Sequence, residues 1–170
     1  MDSLHIATSL TPTVQSFVYA LKYRGVRDLA APLADRMCDL LALRHTTRRL
    51  CGSNPLFIPV PLHSTRIRER GFNQAELLAR RLTATIAMPL DITSLIRSRA
   101  THQQAKQSHR SERFTNIEGA FTAPENAAIL NRDIVLIDDV ATTGATLDDC
   151  ARALKSAGAR TVSAIVLAHG

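Results

Sequence analysis

Two adjacent aspartates, Asp138 and Asp139, follow a short apolar run and lead into a loop of small and hydroxyl-bearing residues. The stretch from residue 134 to residue 144 reads IVLIDDVATTG. Two neighbouring carboxylates repel each other, so a chain that places them together needs a ligand or a counter-charge for them. They can accept hydrogen bonds from a vicinal diol, such as the 2′- and 3′-hydroxyls of a ribose, and they can attract Mg²⁺ directly or through water. The simplest alternative is that they end a strand and cap a turn.

The loop that follows the acids offers groups that hold a phosphate. Its backbone N–H groups and the hydroxyls of Thr142, Thr143 and Thr146 can donate hydrogen bonds. Gly144 lets the backbone approach a ligand closely. The helix predicted after the loop directs its N-terminus at the same place, which favours a dianion. An acid pair for a diol beside a site for a monophosphate describes a ribose 5-phosphate.

The elements that must position these residues alternate between strands and helices, which predicts an α/β domain with a mainly parallel open sheet flanked by helices. In such a sheet, ligands bind beyond the carboxyl ends of the strands, and the two acids are expected at such an end. Only one strand is predicted after them, whereas response regulators and aspartate-based phosphatases carry their key acids early in the chain. Strands are expected over residues 56–61, 91–98, 117–123, 133–138 and 161–170, and helices over residues 11–24, 29–41, 75–86 and 146–157.

Two segments are predicted to be loops. Residues 62–74 are polar and rich in Arg, and residues 99–116 contain hardly any apolar side chain to bury. In compact domains a loop as long as the second is usually a functional lid or a disordered segment. We therefore expect a long flexible loop there.

Composition predicts one globular domain over residues 1–170, with ordinary apolar content. Aromatic residues make up 4% of the chain and Trp is absent, which leaves few rings for stacking on single-stranded nucleic acid. The formal net charge of +6 suits a partner that carries phosphates. A generally basic soluble protein would show the same charge.

Neither a membrane span nor a cysteine-based site is predicted. No apolar run approaches the ~18 residues of a span, and the start, MDSLHIATSL, lacks the features of a signal peptide. We therefore expect a cytoplasmic location. Cys38, Cys51 and Cys150 never form a C-x-x-C pair, which argues against a disulfide framework and a structural zinc site.

Residues 135–146, VLIDDVATTGAT, resemble the phosphoribosyl pyrophosphate (PRPP) signature of type I phosphoribosyltransferases. Three further features resemble one family within this superfamily, the competence protein F (ComF) family. They are LKYRG at residues 21–25, PVPLHSTRIRERGFNQAELLA at residues 59–79, and a spaced set of four residues. The resemblance implies a type I phosphoribosyltransferase-like fold and a Mg²⁺-dependent transfer of phosphoribosyl from PRPP to an acceptor, with Asp138 and Asp139 as catalytic and metal-binding acids. The spaced set comprises Gln104, Arg113, Asn116 and Phe121, and the implied PRPP-binding set comprises Val140, Ala141, Thr142, Thr143, Gly144, Ala145 and Thr146.

The same resemblance makes the segment after the first buried strand a pyrophosphate loop. It implies that Pro61, Leu62 and His63 line the pyrophosphate, and that Arg66 and Arg70 neutralise it through the match between a guanidinium and phosphate oxygens. The alternative is that this Arg run is a solvated helix face.

Residues 99–116 lie where the superfamily has its flexible catalytic loop. The resemblance implies that Lys106 and Arg113 reach the pyrophosphate as catalytic residues when that loop closes. For Lys106 the alternative is that it only solubilises the loop. Lys22, Tyr23 and Arg24 in LKYRG have either a family function or the favourable effect of positive charge at a helix C-terminus.

Two departures from related proteins limit the resemblance. The four-cysteine zinc module that many family members carry ahead of LKYRG is absent from this sequence, so zinc is not expected. Thr142 stands where transferases for 6-oxopurines have an acid, so hypoxanthine and guanine are not expected as acceptors.

The expected partners are PRPP, a small-molecule acceptor, and a second copy of the chain in a homodimer. Two other functions stay open. The protein could sense PRPP without turnover, or it could handle nucleic acid, through contacts with single-stranded DNA or proteins of the competence machinery.

Overall fold

The computed structural model describes residues 1–42, 54–99, 119–124 and 128–170. Within these ranges, four parallel strands form the main sheet in the order β1-β6-β5-β2, and two short strands form a separate antiparallel pair. This confirms the predicted α/β class with a parallel sheet. The main strands are β1 (Ser3–Ser9), β2 (Leu56–Pro59), β5 (Asp133–Ala141) and β6 (Thr161–His169), and the short ones are β3 (Ile96–Arg97) and β4 (Phe121–Thr122).

Helices pack on both faces of the main sheet. The first begins as its sequence predicts, because Thr11 accepts a hydrogen bond from the N–H of Val14 and Pro12 occupies the first helical position. It ends before Gly25, whose φ of 67° suits glycine. The described helices are α1 (Pro12–Tyr23), α2 (Ala30–Ala42), α3 (Ser64–Arg70), α4 (Gln74–Ile86) and α5 (Ala145–Ser156).

Side chains along β5 alternate between two apolar cores on opposite faces of the sheet. Val135 and Ile137 lie in the core that includes residues of α1, α2 and α4. Ile134 and Leu136 lie in the core that includes residues of α5. All four side chains are fully buried, and burial of each contributes ~1.5–3 kcal/mol relative to exposure. Both cores therefore hold β5 in place, and with it the acids near its end.

The predicted loop over residues 62–74 is wrong, because most of it is helical. α3 spans seven residues of it, and α4 begins at Gln74. No residue of α3 is buried, so the segment has no apolar stripe from which a helix could be predicted. Its ends carry the signals instead: His63 caps the first turn, and Gly71 follows the last turn at a φ of 79°.

The strand predictions need three corrections. The edge strand β1 was not predicted, because its residues are only partly buried and its pattern is short and polar. The strand expected over residues 91–98 reduces to β3, and that over 117–123 reduces to β4, outside the main sheet. β5 continues to Ala141, so the two acids lie within the strand.

The long loop predicted over residues 99–116 lies, apart from Arg99, outside the described residues. None of the helices described combines the length and the apolar character needed to cross a bilayer.

Candidate functional site

Asp138 and Asp139 face opposite sides of the sheet, because consecutive side chains of a strand alternate. Asp139 lies on the same face of the sheet as Val135 and Ile137, and its side chain contacts Lys22 of α1. Asp138 follows the other face, and its charge acts on Cys150 of α5. The acids therefore approach the carboxyl end of the sheet from two sides, and a ligand that uses both must lie across that end.

A lysine from α1 neutralises Asp139. Nζ of Lys22 lies 2.6 Å from Oδ2 of Asp139, whose side chain is only 3% exposed. Oδ2 accepts no hydrogen bond of suitable angle from the described residues. The ion pair with Lys22 therefore compensates the buried negative charge of this oxygen. The other oxygen, Oδ1, accepts the N–H of Val140 at 2.9 Å. Lys22 thus joins the end of α1 directly to the acid pair.

Asp138 has a different environment. Burial and the nearby charge of Asp139 raise the pKa of Asp138, while Lys22 opposes this shift. Its Oδ1 accepts the N–H of Asp139 at 2.8 Å. The proton of the pair therefore resides preferentially on Asp138, and a bound cation would compete with it.

The phosphate loop turns from β5 into α5, and the N–H of Ala145, the first residue of that helix, donates to Oγ1 of Thr143 at 3.4 Å. Gly144 is the N-cap residue at a φ of 78°, and no side chain caps the helix from that position. A Cβ built on Gly144 would meet no atom within 4 Å, so the space above it is open. Thr142 is exposed, and Thr143 and Thr146 are half-buried. Amides of the first helical turn, hydroxyls and open space at a helix N-terminus suit a phosphate group, which would compete with Thr143 for the N–H of Ala145.

The predicted pyrophosphate loop lies beside the acids. The N–H of Val60 donates to the carbonyl of Ile137 at 2.9 Å, and Asn73 donates to the carbonyl of Val60 at 3.0 Å. Pro61, Leu62 and His63 are half-buried next to this point. Nδ1 of His63 accepts the N–H of Thr65 at 3.3 Å. That nitrogen is therefore used to cap α3, which leaves only Nε2 for a ligand.

A cationic cavity of about 300 Å³ lies between the C-terminal end of α1 and α3. Arg66 pairs with Glu69 of the same helix at 3.1 Å, and Arg70 stacks on Tyr23 with 5.4 Å between the guanidinium carbon and the ring centre. The cavity thus gathers four cations around one carboxylate. Its lining comprises Lys22, Tyr23, Arg24, Gly25, Arg66, Glu69 and Arg70.

Sequence reasoning left one basic residue of this site open and missed another. Lys22 stood between a family function and a helix-end charge, because its contact with Asp139 joins segments far apart in the chain. Arg97 of β3 was not considered at all; it lies over Phe121 at 5.3 Å, and the charges of Asp138 and Arg66 act on it. Burial lowers the pKa of Arg97. The resemblance to LKYRG was the signal that could have selected Lys22, whereas Arg97 left no comparable signal.

The remaining predicted residues divide into two groups. Lys106 and Arg113 lie outside the described residues, so their roles stay predictions. Cys150 is fully buried, and burial raises the pKa of its thiol well above 9.0, as suits an inert apolar side chain.

The acids fit a magnesium ion that arrives with a phosphorylated ligand. Among the described residues, no group of three or more His, Cys, Asp or Glu side chains could hold a metal ion. Mg²⁺ commonly binds through one or two carboxylates, several waters and substrate phosphates. Asp138 and the buried Oδ2 of Asp139 can supply such a pair.

Comparison with known proteins agrees with this architecture. The phosphoribosyl transferase domain model matches residues 67–170. DNA utilization protein YhgH of Salmonella typhimurium is 35% identical over 156 residues, which cover 89% of this chain and 65% of the relative. Competence protein F of Haemophilus influenzae is 34% identical over 167 residues, which cover 97% of this chain and 70% of that relative. The chain spans about two thirds of the length of these curated relatives.

The fold also matches a solved enzyme. Glutamine PRPP amidotransferase from B. subtilis, complexed with ADP and GMP, aligns with a TM-score of 0.50 at 15% identity over 81% of this chain and 26% of that one. At this identity the match concerns the fold alone. The domain match and the two relatives lead to one assignment: the chain belongs to the competence protein F family of type I phosphoribosyltransferases.

Proposed function

We propose that this protein binds PRPP with Mg²⁺ and transfers its phosphoribosyl group to an acceptor, with release of pyrophosphate. The observation that carries the proposal is the meeting of three features at one end of the sheet. An acid pair lies near the carboxyl end of β5, the N-terminus of α5 follows it, and a cavity with four cations adjoins it. These features suit a ribose diol, a 5′-phosphate and a pyrophosphate respectively.

The acids and the phosphate loop would hold the ribose 5-phosphate. Asp138 and Asp139 would accept hydrogen bonds from the ribose hydroxyls. The loop over residues 140–146 would bind the 5′-phosphate through its amides and hydroxyls, with help from the dipole of α5. Mg²⁺, when bound, would screen the pyrophosphate charge and connect it to the acids.

The cations of the cavity would stabilise the leaving group. An acceptor nucleophile attacks C1 of the ribose, the bond from C1 to the pyrophosphate oxygen breaks, and the bonding electrons leave with pyrophosphate. The proton of the acceptor passes to solvent or to a base. Arg66, Arg70 and Lys22 line the cavity, and with pyrophosphate bound there their positive charges would stabilise the growing negative charge and lower the barrier. Arg97 would add a further charge from the side of β3.

Calorimetric titration with PRPP and Mg²⁺ tests the proposal. We expect micromolar binding by the wild type, and its loss in a variant with Asp138→Asn and Asp139→Asn. Asp39→Asn, which changes an exposed acid of α2 outside the proposed site, is the matched control and should bind normally. A folded wild type that fails to bind PRPP would overturn the proposal.

Pyrophosphate release separates a transferase from a sensor. A panel of acceptors is incubated with the protein and PRPP, and pyrophosphate is measured enzymatically. Release that depends on one acceptor and on both acids supports transfer. Tight PRPP binding without release would instead favour the non-catalytic sensor.

A second candidate function, contact with single-stranded nucleic acid, is favoured by the placement of the tyrosines. The chain has two, and both lie on α1 and are more than half exposed, at 53% for Tyr19 and 54% for Tyr23. Their ring centres are 5.0 Å apart, and Arg24 and Arg70 lie over their faces. Stacking on such rings is worth ~1–3 kcal/mol per base. Low aromatic content therefore does not exclude this function, and both relatives carry names that concern DNA use or competence.

Fluorescence anisotropy with labelled single-stranded DNA tests this second function. Tyr19→Ala and Tyr23→Ala together should weaken binding at least about thirtyfold, in line with the loss of two stacking contacts. Phe17→Ala changes another exposed ring of α1 and should have little effect. Binding should fall steeply with salt, and displacement by PRPP would indicate a shared phosphate pocket. The homodimer and the cytoplasmic location stay predictions.

A further inference from the structure

Lys22 connects the acid pair to the cationic cavity. It lies in the last turn of α1, its Nζ pairs with Asp139, and its side chain is 22% exposed. The same side chain lines the cavity beside Arg66 and Arg70. One ammonium group is therefore within reach of a buried carboxylate and of any anion that enters the cavity.

The ion pair with Asp139 opposes the binding of a divalent cation. The ammonium occupies Oδ2, the oxygen that accepts no hydrogen bond of suitable angle from the described residues. A cation that approaches the same oxygen meets the repulsion of the ammonium charge at short range. Removal of Lys22 without replacement would leave a buried charge uncompensated, so the site without ligand needs this residue or a metal.

The chemistry of a lysine side chain allows Lys22 to exchange Asp139 for another anionic partner. Its ammonium is a point charge with three donors on a flexible stem, and it needs no fixed plane as a guanidinium does. A phosphate in the cavity would offer it a new partner with several oxygens. Arg66 and Arg70, which flank that position, would draw the same anion in.

We infer that Lys22 is an exchangeable counter-ion, which keeps Asp139 from binding a divalent cation until an anion with several phosphate oxygens draws the lysine into the cavity. The identity of that anion as PRPP or pyrophosphate rests on the proposed function. The competition between Lys22 and the metal for Asp139 is independent of that function. Metal binding would then follow or accompany the phosphate ligand, and the empty protein would hold little metal.

Electron paramagnetic resonance of Mn²⁺ tests the competition without PRPP. Free Mn²⁺ gives a sharp signal that is lost on binding, so the affinity is read directly. Lys22→Met should bind Mn²⁺ about tenfold more tightly than the wild type, because the competing charge has gone. Inorganic pyrophosphate, with its own binding of Mn²⁺ measured in a titration without protein and subtracted, should tighten Mn²⁺ binding by the wild type more than by Lys22→Met.

Matched variants make the result specific. Lys155→Met removes another lysine that pairs with an aspartate, Asp2 at 2.9 Å, and should leave Mn²⁺ affinity unchanged. Asp139→Asn in the Lys22→Met background should abolish the gain. Circular dichroism checks folding, and Lys22→Gln, which keeps a polar head, serves if Lys22→Met does not fold.

Equal or weaker Mn²⁺ binding by a folded Lys22 variant would overturn the inference and leave Lys22 as a fixed partner of Asp139. Failure of the wild type to bind PRPP would overturn the proposed transferase but not this result, because the Mn²⁺ titration contains no PRPP. The two failures are therefore distinguishable.

Discussion

The two aspartates are chemically identical and have different neighbours. Asp139 is ion-paired with Lys22, whereas Asp138 has a raised pKa and lies near Cys150 and Arg97. An environment that separates two carboxylates in this way gives them separate roles. Asp139 is the acid paired with a cation, and Asp138 is the one whose pKa is raised by burial and by the charge of Asp139.

Gly144 gives a prediction at the scale of one residue. Its φ of 78° strains any side chain, while a Cβ there meets no protein atom within 4 Å. Gly144→Ala should therefore cost about 1–2 kcal/mol from backbone strain and also weaken PRPP binding, since the methyl group would enter the space above the loop. Thermal melting and calorimetric titration measure the two effects.

Gly158→Ala is the control for this change. Gly158 also has a positive φ, of 94°, but it follows the C-terminal end of α5, away from the phosphate loop and the cationic cavity. The variant should also lose stability and should keep its affinity for PRPP. Equal loss of affinity in both variants would contradict a phosphate site at Gly144.

Sequence alone identified the residues whose neighbours are local. The acids, the loop and the start of α5 follow one another in the chain, so spacing was enough to connect them. Lys22 and Arg97 reach Asp138 and Asp139 only through the packing of α1 and β3, which no local pattern records. The resemblance to LKYRG indicated importance but gave no partner.

At the scale of elements, hydrogen bonds to Asp149 connect α5 to the segment that contains β4. Its buried carboxylate accepts the N–H groups of Gly119 and Ala120 at 2.8 Å each and that of Phe121 at 3.2 Å. Asp149→Ala would leave three amides without this acceptor. Since hydrogen bonds to a charged group contribute ~1.5–3 kcal/mol each, we expect the melting temperature to fall by about 10 °C or more.

Arg152→Ala is the control for Asp149. Arg152 pairs with the same carboxylate at 2.6 Å, but its side chain is largely exposed, so its loss should change stability little. Both variants are compared by thermal melting. A melting temperature of Asp149→Ala within about 1 °C of the wild type would show that the three hydrogen bonds are dispensable.

Asp133 joins the starts of β5 and β6, and it gives a prediction in pH. The hydrogen bond from Arg160 holds the pKa of Asp133 at about 2, against an ordinary value of 3.8, with Thr161 as a second donor. A lowered carboxyl pKa stabilises the fold above the unfolded value, and the effect is lost as the pH falls from 3.8 towards 2.

Asp133→Asn should therefore be less stable than the wild type at neutral pH, and the difference should shrink below pH 4. Urea unfolding at several pH values measures it. Asp39→Asn, which changes an exposed acid paired with Arg36, should show little difference at any pH. A gap between Asp133→Asn and the wild type that stays constant down to pH 2 would contradict the assignment.

Elements with a strong apolar period were predictable, and those without one were not. α4, α5, β2, β5 and β6 are largely buried, and their patterns identified them. α3 has no buried residue, and β1 lies at the edge of the sheet, so neither carries a full apolar period. Their structure depends on caps and on pairing with β6, which are contacts rather than patterns.

At the scale of the whole molecule, the two cores share one sheet. β5 and β6 contribute side chains to both, so neither core can unfold alone without exposing the other. We expect a single cooperative transition in differential scanning calorimetry. Two separated transitions would contradict the prediction of one domain.

Ligand binding should raise the temperature of that transition. At a PRPP concentration of 100 times the dissociation constant, with Mg²⁺, the stabilisation is ~2.7 kcal/mol. For a chain of this length we expect a rise of about 5–10 °C. The rise should disappear in the variant that lacks both acids.

The alternation of β5 also restricts where the acids can stand relative to the start of their strand. Deletion of one residue between Asp133 and Asp138 would turn every later side chain to the opposite face. Asp139 would then face α5, and Lys22 would meet the preceding acid instead. The acidic motif is therefore defined by the face of the strand on which each acid falls, as well as by its residue types. A search for such sites in other sequences should require the acids to fall at the correct parity from the strand's buried residues, because a motif match in the wrong phase would direct both carboxylates to the wrong partners.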